Sequence, residues 1–530
     1  MEKKKFINVL AAVILLITLI TGCKKSTFNI NGNPNQPTDS TVTYDVILPA
    51  ALHGTGTVIA NDWAFLQNWM GYWARSGTYA PSFAEETYTI TTSFQTGVWN
   101  DLFNNNYDYQ VMQNKAKQAN AAFYEGIARI MKAHNYQILV DVYNDVPYSQ
   151  ALRGSANPTP AYDKGIDIYK DLFRQVDTGI ALIKGATASQ SVNIATNDIM
   201  FAGSKSLWAK FGNTLKLRML VHLMNGINTR TLATGIDVAA EFGKINTEGS
   251  GYLLAGQNAQ VQPGYTSDKP NPFWLTYKAD AAGTATQGSV YYKANDYGIE
   301  YYKWNGDPRT SYYYVAGSNG LVGVKYGLPA ATENVAANLA GIGTGIIKSV
   351  SMPQWVLTAT ESLFLQAEAQ ERGFLVGTAK TTLTAAIAES MSFLGVPNST
   401  TSANSYITAN AGYPDVDYSA PATGAGLPVG GLYTIIQQKW FALNTIAPFE
   451  VYSDFRRNDM TYSGKTVNHF VTGVASGFAP GPPISVSPNN TSTEIPTRLL
   501  YPQTEYNYNA TNVKGQGTID RYGRVFWDLK

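Results

Sequence analysis

The stretch Ala161–Gly185, AYDKGIDIYKDLFRQVDTGIALIKG, shows the pattern that decides the fold class. Its apolar residues recur at alternating steps of three and four positions: Ile166, Tyr169, Phe173, Val176, Ile180 and Ile183. This spacing places one apolar stripe along a single face of an α-helix. Gly185 follows directly, at a point where helices commonly stop. The stretch therefore predicts an amphipathic helix that must pack against neighbouring elements.

The same spacing recurs elsewhere in the chain. It occurs upstream in Phe123, Ile127, Ile130, Ile138 and Val142, and downstream in Trp208, Phe211, Leu215 and Met219. Further helices are predicted over residues 351–374, SMPQWVLTATESLFLQAEAQERGF, and from Leu383 to Phe393. Helix pairs with no strand pattern between them predict a mostly α fold, a helical-repeat scaffold of the tetratricopeptide type, although no strict period is visible.

Long stretches without a helical period separate these segments. Residues 245–350, 396–430 and 475–500 are rich in Gly, Ser, Thr, Asn, Ala and Pro. Such loops within a folded body are usually functional or disordered. We expect them to be insertions in one domain over residues 44–530.

The beginning of the chain has the features of an export signal. Lys3, Lys4 and Lys5 precede the apolar run 9–20, which is too short to span a bilayer, and Thr21-Gly22 lead to Cys23. The segment resembles a bacterial lipobox, which predicts removal of residues 1–22, lipidation of Cys23 and a polar tether over residues 23–43. An ordinary signal peptide beside a stray thiol is the alternative. Cys23 is the only cysteine, so the chain forms no internal disulfide.

Composition argues against nucleic acid as a partner. Only 15% of the residues are charged, and the formal net charge is +1. Without residues 1–22, which hold three lysines and one glutamate, the net charge becomes −1. Binding to a phosphate backbone needs a basic patch, which this chain lacks.

No catalytic or metal-binding motif is present, and no cofactor is predicted. The histidines, His53, His134, His222 and His469, show no metal-ligand spacing. The stretch Gly341–Ser349 lacks the glycine that a phosphate loop has before its lysine. Asp141 and Asp145 are interpreted as residues that cap and solvate a turn. A glycoside hydrolase, which needs only two carboxylates across a cleft, stays open as a less favoured alternative to a non-enzymatic protein.

Aromatic residues give the clearest functional signal, since 12% of the chain is Phe, Trp or Tyr. One cluster lies early in the sequence, and a second, rich in tyrosine, spans residues 291–314. Aromatic faces stack on sugar rings, and their polar groups bond hydroxyls or amides. The predicted ligand-binding residues are Trp63, Trp69, Trp73, Tyr79, Tyr301, Tyr302 and Trp304. Adjacent tyrosines cannot share one face of a strand, so some are expected at the surface.

Six short motifs follow behind the lipobox in a recognisable order. They are DVYNDVPYSQA (Asp141–Ala151), WAKFGNTLKLR (Trp208–Arg218), DPR (Asp307–Arg309), ESLFLQAEA (Glu361–Ala369), QKWFA with a later RR (Gln438–Arg457) and YPQTEYNYN (Tyr501–Asn509). In this order they resemble the SusD/RagB family of outer-membrane nutrient-binding lipoproteins, nearest its SusD-like branch. Each motif alone is weak, but six in family order are specific.

The resemblance implies a fold and a function. It implies tetratricopeptide-like helical pairs in an α-α superhelix, with the motifs in structural roles. It also implies a lipid-anchored protein of the cell outer membrane that captures an oligosaccharide and delivers it to a partner SusC-like TonB-dependent transporter. A peptide-binding, RagB-like lid and a purely structural lid are the alternatives. Lys24-Lys25 replace the acidic residues that often follow the cysteine in surface-exported lipoproteins, so exposure on the outer face is implied by the family alone.

Overall fold

The computed structural model describes residues 42–226, 231–420, 430–458 and 482–529. The predicted signal peptide, Cys23, the tether as far as residue 41, His469 and parts of two predicted loops lie outside the described residues. The described α-helices are α1 Tyr44–Asn61, α2 Ala64–Trp69, α3 Phe83–Glu86, α4 Thr96–Gln118, α5 Ala122–Tyr143, α6 Gly165–Gly185, α7 Ile194–Asn197, α8 Lys205–His222, α9 Val238–Glu248, α10 Pro272–Tyr277, α11 Gln287–Tyr291, α12 Asp296–Trp304, α13 Thr310–Tyr313, α14 Ala359–Glu371, α15 Ala379–Leu394, α16 Ser399–Ala409, α17 Leu432–Leu443, α18 Pro448–Arg457, α19 Gln503–Tyr508 and α20 Ala510–Lys514.

The strands are short and form two-stranded antiparallel ladders. They are β1 Trp73–Arg75, β2 Val146–Pro147, β3 Tyr162–Asp163, β4 Met224–Asn225, β5 Thr231–Leu232, β6 Ala259–Val261, β7 Tyr292–Ala294, β8 Tyr314–Val315, β9 Gly341–Ile342 and β10 Gln354–Leu357. The pairs are β1 with β7, β2 with β3, β4 with β5, β6 with β10 and β8 with β9. The prediction of a mostly α fold is confirmed.

The helices α4, α5 and α6 pack side by side, and α8 packs on α6. The stripe that predicted α6 is buried from Tyr169 to Ile183, while Ile166 is partly buried. Helix α5 is buried on almost every side because it lies between two neighbours. Gly126 of α5 faces Gly179 of α6 so closely that a Cβ at Gly126 would lie 2.6 Å from the Gly179 carbonyl oxygen. These two glycines therefore set how near the helices approach.

A second group consists of α14, α15 and α16, with α14 also packed on α8 and α17. The predicted helix over residues 351–374 is wrong in its first part, because Gln354–Leu357 form β10 and pair with β6. Thr358 ends the strand and begins the helix, since its side chain accepts a hydrogen bond from the Glu361 backbone N–H at 3.3 Å.

The predicted loops contain more regular structure than their composition indicates. Residues 245–350 include the end of α9, the short helices α10 to α13 and the strands β6 to β9, and residues 396–430 include α16. Residues 482–500 contain neither helix nor strand. Within the described ranges no helix has both the length and the hydrophobicity needed to cross a bilayer.

Candidate functional site

The structure separates the seven predicted ligand-binding residues into two groups. Five are buried in the core: Trp63, Trp69, Trp73, Tyr301 and Tyr302. Direct contact between these five side chains and a ligand is therefore not supported. Their rings pack on other aromatic rings, as Trp69 does on Phe65 at 5.0 Å between ring centroids.

At Tyr301 and Tyr302 neither side chain is exposed, although other tyrosines of the same stretch, such as Tyr291, are partly exposed. They lie on a helix, α12, and not on a strand, and both rings pack against Phe441 of α17, at 4.6 and 5.0 Å between centroids. The Tyr302 hydroxyl also donates to the Phe441 carbonyl oxygen at 2.6 Å. Side chains of neighbouring helical residues diverge by about 100°, yet both of these rings reach Phe441.

Trp304 and Tyr79 remain at the surface. Trp304 ends α12 and is 41% exposed, whereas Tyr79 is partly exposed in the loop after β1. The structure brings Tyr79 onto Tyr291, at 5.3 Å between ring centroids and with the rings tilted by 48°. Tyr291 is also partly exposed and ends α11. We call Tyr79 and Tyr291, with the backbone of residues 76–78 that supports them, the Tyr79 surface.

The pairing of β1 with β7 positions this surface. Arg75 lies opposite Tyr292, so the chain that leaves β1 runs beside the end of α11. The Ser76 N–H donates to the Tyr291 carbonyl oxygen at 2.8 Å, and its hydroxyl donates to the Val290 carbonyl oxygen at 2.9 Å. Residues more than 200 positions apart in sequence thereby form one surface.

Gly77 and Thr78 join a third segment to the same surface. The Gly77 N–H donates to the Asn334 carbonyl oxygen at 2.7 Å, and the Ala336 N–H donates to the Thr78 hydroxyl at 2.9 Å. A Cβ at Gly77 would lie 1.7 Å from the Asn334 side-chain oxygen, so any larger residue would have to displace the Asn334 side chain.

Arg75 anchors the loop from below. Its guanidinium pairs with Glu86 at 2.6 Å, in a bridge whose two side chains are almost fully enclosed. It also donates to the Tyr79 carbonyl oxygen at 2.7 Å and to the Leu328 carbonyl oxygen at 3.0 Å. The Tyr79 backbone is therefore held before any ligand arrives, which lowers the entropy cost of binding.

The chemistry of the Tyr79 surface suits stacking and hydrogen bonding. The two tilted phenol rings offer apolar faces, which can stack on the apolar face of a sugar ring. Their hydroxyl groups can form hydrogen bonds with the hydroxyls of the sugar. Among the described residues, no group of three or more His, Cys, Asp and Glu side chains could hold a metal ion. Tyr291 lies in the tyrosine-rich stretch noted in the sequence, but its contact with Tyr79 depends on the β1–β7 pairing and has no local signal.

Several carboxylates of the sequence motifs lie elsewhere, in the core, beside His222. His222 bridges Asp141 at 2.9 Å and Glu450 at 2.8 Å. Asp141 also accepts hydrogen bonds from Tyr169 and Trp527, so the interpretation of Asp141 as a solvated turn residue is wrong. Burial alone would lower the pKa of His222, but the Glu450 and Asp141 carboxylates outweigh it and raise that pKa.

The ion pairs continue from Glu450 across α17, α18 and α14. Lys439 lies 2.5 Å from Glu450 and 3.2 Å from Asp454, and Arg457 lies 2.5 Å from Asp454 and 2.6 Å from Glu368. Burial opposes ionisation of Glu368, yet Arg457 and Arg372 hold the pKa of its carboxyl at about 2. We call this set the charge cluster; its members are Asp141, His222, Glu368, Lys439, Glu450, Asp454 and Arg457.

The charge cluster gives the sequence motifs a structural role. Asp141 and Glu368 come from two different motifs, Lys439 and Arg457 come from a third, and all four are buried. The DPR motif is equally buried, since Arg309 pairs with Asp307 at 2.6 Å and donates to Gln438 at 2.9 Å. These groups bond one another in the core, so their motifs have a structural role.

Comparison with known proteins gives a consistent result. Residues 34–471 match the SusD-like family model described as "Starch-binding associating with outer membrane". No curated protein sequence matches the chain.

Solved structures share the fold at low sequence identity. A SusD homolog from Bacteroides fragilis NCTC 9343 has a TM-score of 0.69 at 20% identity, covering 92% of this chain and 100% of that one. A SusD-like protein from Bacteroides thetaiotaomicron VPI-5482 has a TM-score of 0.68 at 21% identity, with 91% and 99% covered. A chitin-binding SusD homolog from Flavobacterium johnsoniae has a TM-score of 0.68 at 21% identity, with 91% and 98% covered.

Proposed function

The chain belongs to the SusD-like family, and we propose that it binds a neutral oligosaccharide at the Tyr79 surface and passes it on chemically unchanged. The observation that carries the proposal is the partly exposed Tyr79–Tyr291 pair on a braced backbone. Aromatic contacts of this kind contribute about 1 kcal/mol each beyond the area that they bury.

Two further observations support a glycan as the cargo. The family is described as starch-binding, and one structural neighbour is described as chitin-binding. Both starch and chitin are glycans without charged groups. A net charge close to zero for this chain also agrees with a neutral ligand better than with a polyanion.

The cellular setting is part of the proposal. Lipidation at Cys23 and a tether over residues 23–43 would hold the folded body at the outer membrane, where a SusC-like TonB-dependent transporter would receive the cargo. We expect the Cys23→Ala variant to leave the membrane fraction and the unmodified chain to copurify with an outer-membrane transporter. Membrane retention of the variant would contradict the anchor.

Calorimetry tests the binding proposal directly. The detergent-solubilised full chain is titrated with neutral oligosaccharides of different linkage and with mixed peptides, and the same samples are analysed for products. We expect saturable glycan binding without new products. The Tyr79→Ala variant should bind about fivefold more weakly, which corresponds to about 1 kcal/mol.

The matched control is Tyr508→Ala, because Tyr508 is 77% exposed and lies on α19, away from the β1–β7 pair in sequence. Its affinity should equal that of the unmodified chain. Glycan binding that Tyr79→Ala leaves unchanged would refute the site. Binding of peptides alone would favour the RagB-like alternative, and new products would identify an enzyme.

A further inference from the structure

A cavity of about 580 Å³ lies between α4, α5 and α6, beside the loop of residues 148–156. This volume is within the usual range for small-molecule sites. Its lining is mainly polar: Gln110 and Gln113 from α4, Lys132 and Tyr136 from α5, and Asp171 and Gln175 from α6. It shares no lining residue with the Tyr79 surface.

Two polar atoms of this lining have no hydrogen-bond partner in the described protein. They are the Tyr136 hydroxyl and the Gln113 side-chain oxygen, and each has almost no water-accessible surface, so a ligand in the cavity would reach them through a small side-chain rotation. The Tyr136 side chain is 2% exposed, with its ring packed on Tyr148 at 4.7 Å and on Phe103 at 6.0 Å. A buried hydroxyl without a partner is costly, so a donor or acceptor inside the cavity would stabilise it.

The charges around the cavity leave an excess of positive charge. Arg129 pairs with Glu125 at 2.8 Å, and Asp171 pairs with Arg174 and accepts from the Tyr148 hydroxyl at 2.5 Å. Lys132 has no carboxylate within ion-pair distance among the described residues, and it donates to the Gln110 amide oxygen at 2.5 Å.

Lys132 is therefore the unusual group of the cavity. An ammonium has three N–H donors, and a neutral amide satisfies one of them. Burial is the largest cause that lowers the pKa of Lys132, to about 8, with Arg129 acting in the same direction, while Asp171 and Glu125 oppose the shift from beyond ion-pair distance. Arg153 adds a second cation from the loop, where it donates to the Ser149 carbonyl oxygen at 2.8 Å.

We propose that this cavity binds a small carboxylate-bearing ligand, whose carboxylate pairs with Lys132 and whose hydroxyl or amide groups bond Tyr136 and Gln113. A carboxylate supplies the missing counter-charge and forms a charge-assisted hydrogen bond. Lys132 is partly buried, and a cation that has lost part of its hydration without gaining an ion pair is unfavourable, so a bound carboxylate would relieve a cost that the free protein carries. This site is additional to the proposed function and uses none of its residues.

Acidic sugars and acidic peptides share this chemistry, and the probes distinguish them. Calorimetric titration of the full chain in detergent uses glucuronate and a glutamate-containing dipeptide. Glucuronamide and the corresponding glutamine dipeptide are the neutral matches. We expect one acid to bind saturably and its neutral match to bind at least tenfold more weakly.

Two substitutions connect binding to the cavity. The Lys132→Gln variant should weaken binding of the acid at least tenfold, because it removes the charge. The Tyr136→Phe variant should weaken it severalfold and should fold normally, since the hydroxyl that it removes bonds no described residue. If Lys132→Gln fails to fold, Tyr136→Phe and Arg153→Gln decide whether the acid binds in this cavity. Arg153 is exposed, so its substitution should not affect folding.

The outcomes separate this site from the Tyr79 surface. Tyr79→Ala should leave acid binding unchanged. The inference is overturned if neither acid binds, if the neutral match binds equally well, or if Tyr136→Phe and the available cation variant leave the affinity unchanged. None of these results would affect glycan binding at Tyr79.

Discussion

The charge cluster and the Tyr79 surface differ in how far other protein groups occupy their side chains. In the charge cluster, buried acids and bases neutralise one another, as Arg457 does with Glu368. At the Tyr79 surface only the backbone is satisfied by protein, while two ring faces remain partly exposed. The difference shows that the sequence motifs maintain the framework, whereas the proposed binding residues lie outside them.

Removal of one charge from the charge cluster should have the largest effect. The Arg457→Met variant removes one of the two basic partners of each buried carboxylate, since Glu368 keeps Arg372 and Asp454 keeps Lys439, and this should lower the free energy of unfolding by about 3–5 kcal/mol. Urea unfolding measures the change. The control is Arg524→Met, whose 3.7 Å bridge to Asp528 is partly exposed and should cost about 0–1 kcal/mol. Equal effects would mean that the charge cluster does not stabilise the fold.

Tyr302→Phe tests a predicted ligand residue that the structure places in the core. The change leaves the Phe441 carbonyl without the Tyr302 donor and should cost about 1–3 kcal/mol of stability. The affinity of the folded protein for glycan should not change, as measured by calorimetry below the melting transition. Tyr508→Phe is the exposed control. A loss of glycan affinity in Tyr302→Phe with full stability would restore this tyrosine as a contact residue.

The charge cluster should make the free energy of unfolding decrease at both ends of the pH range. We call the decrease at rising pH the upper limb and the decrease at falling pH the acid limb. The raised pKa of His222 contributes stability that is complete below its ordinary value of 6.5 and is lost as the pH rises through the folded-state value. The lowered pKa of Glu368 contributes above 4.5 and is lost as the pH falls towards 2. Each group changes the free energy of unfolding by up to about 1.4 kcal/mol per pH unit.

Urea unfolding across this pH range checks the assignment of the upper limb. His222→Gln should remove that limb while the acid limb remains. His53→Gln is the matched control, because His53 lies outside the charge cluster and should keep both limbs. Persistence of the upper limb in His222→Gln would assign it to another group.

Gly77→Ala should have a small effect on stability and a clear effect on binding. The added methyl group would displace the Asn334 side chain and loosen the segment that braces Tyr79, so glycan affinity should fall severalfold. Gly185→Ala is the control, because a Cβ there meets nothing within 4 Å. Calorimetry compares the two variants. Unchanged affinity in Gly77→Ala would show that the bracing is not needed for binding.

Local patterns in the sequence predicted the helices well. The spacing in Ala161–Gly185 gave α6 with the same final residue, because an amphipathic stripe and a terminal glycine act within one element. The same reasoning failed at residues 351–374, where β10 forms through its pairing with β6, about 95 residues earlier in the chain. Pairing with a distant partner leaves no local signal.

The sequence by itself determined the helical scaffold, the family and the residue types that would interact, because these depend on periodicity, motif order and composition. Only the tertiary structure decided which aromatic residues remain exposed. Trp69 and Tyr79 both carry an aromatic face of the kind that stacks on sugar rings, but the first is enclosed by the core and the second lies on a braced loop whose Tyr79 carbonyl accepts from Arg75. Tyr79 meets Tyr291, and Lys132 lacks a carboxylate partner among the described residues, because of how distant segments pack. Burial depends on every neighbour in space, and a linear pattern records only the neighbours along the chain.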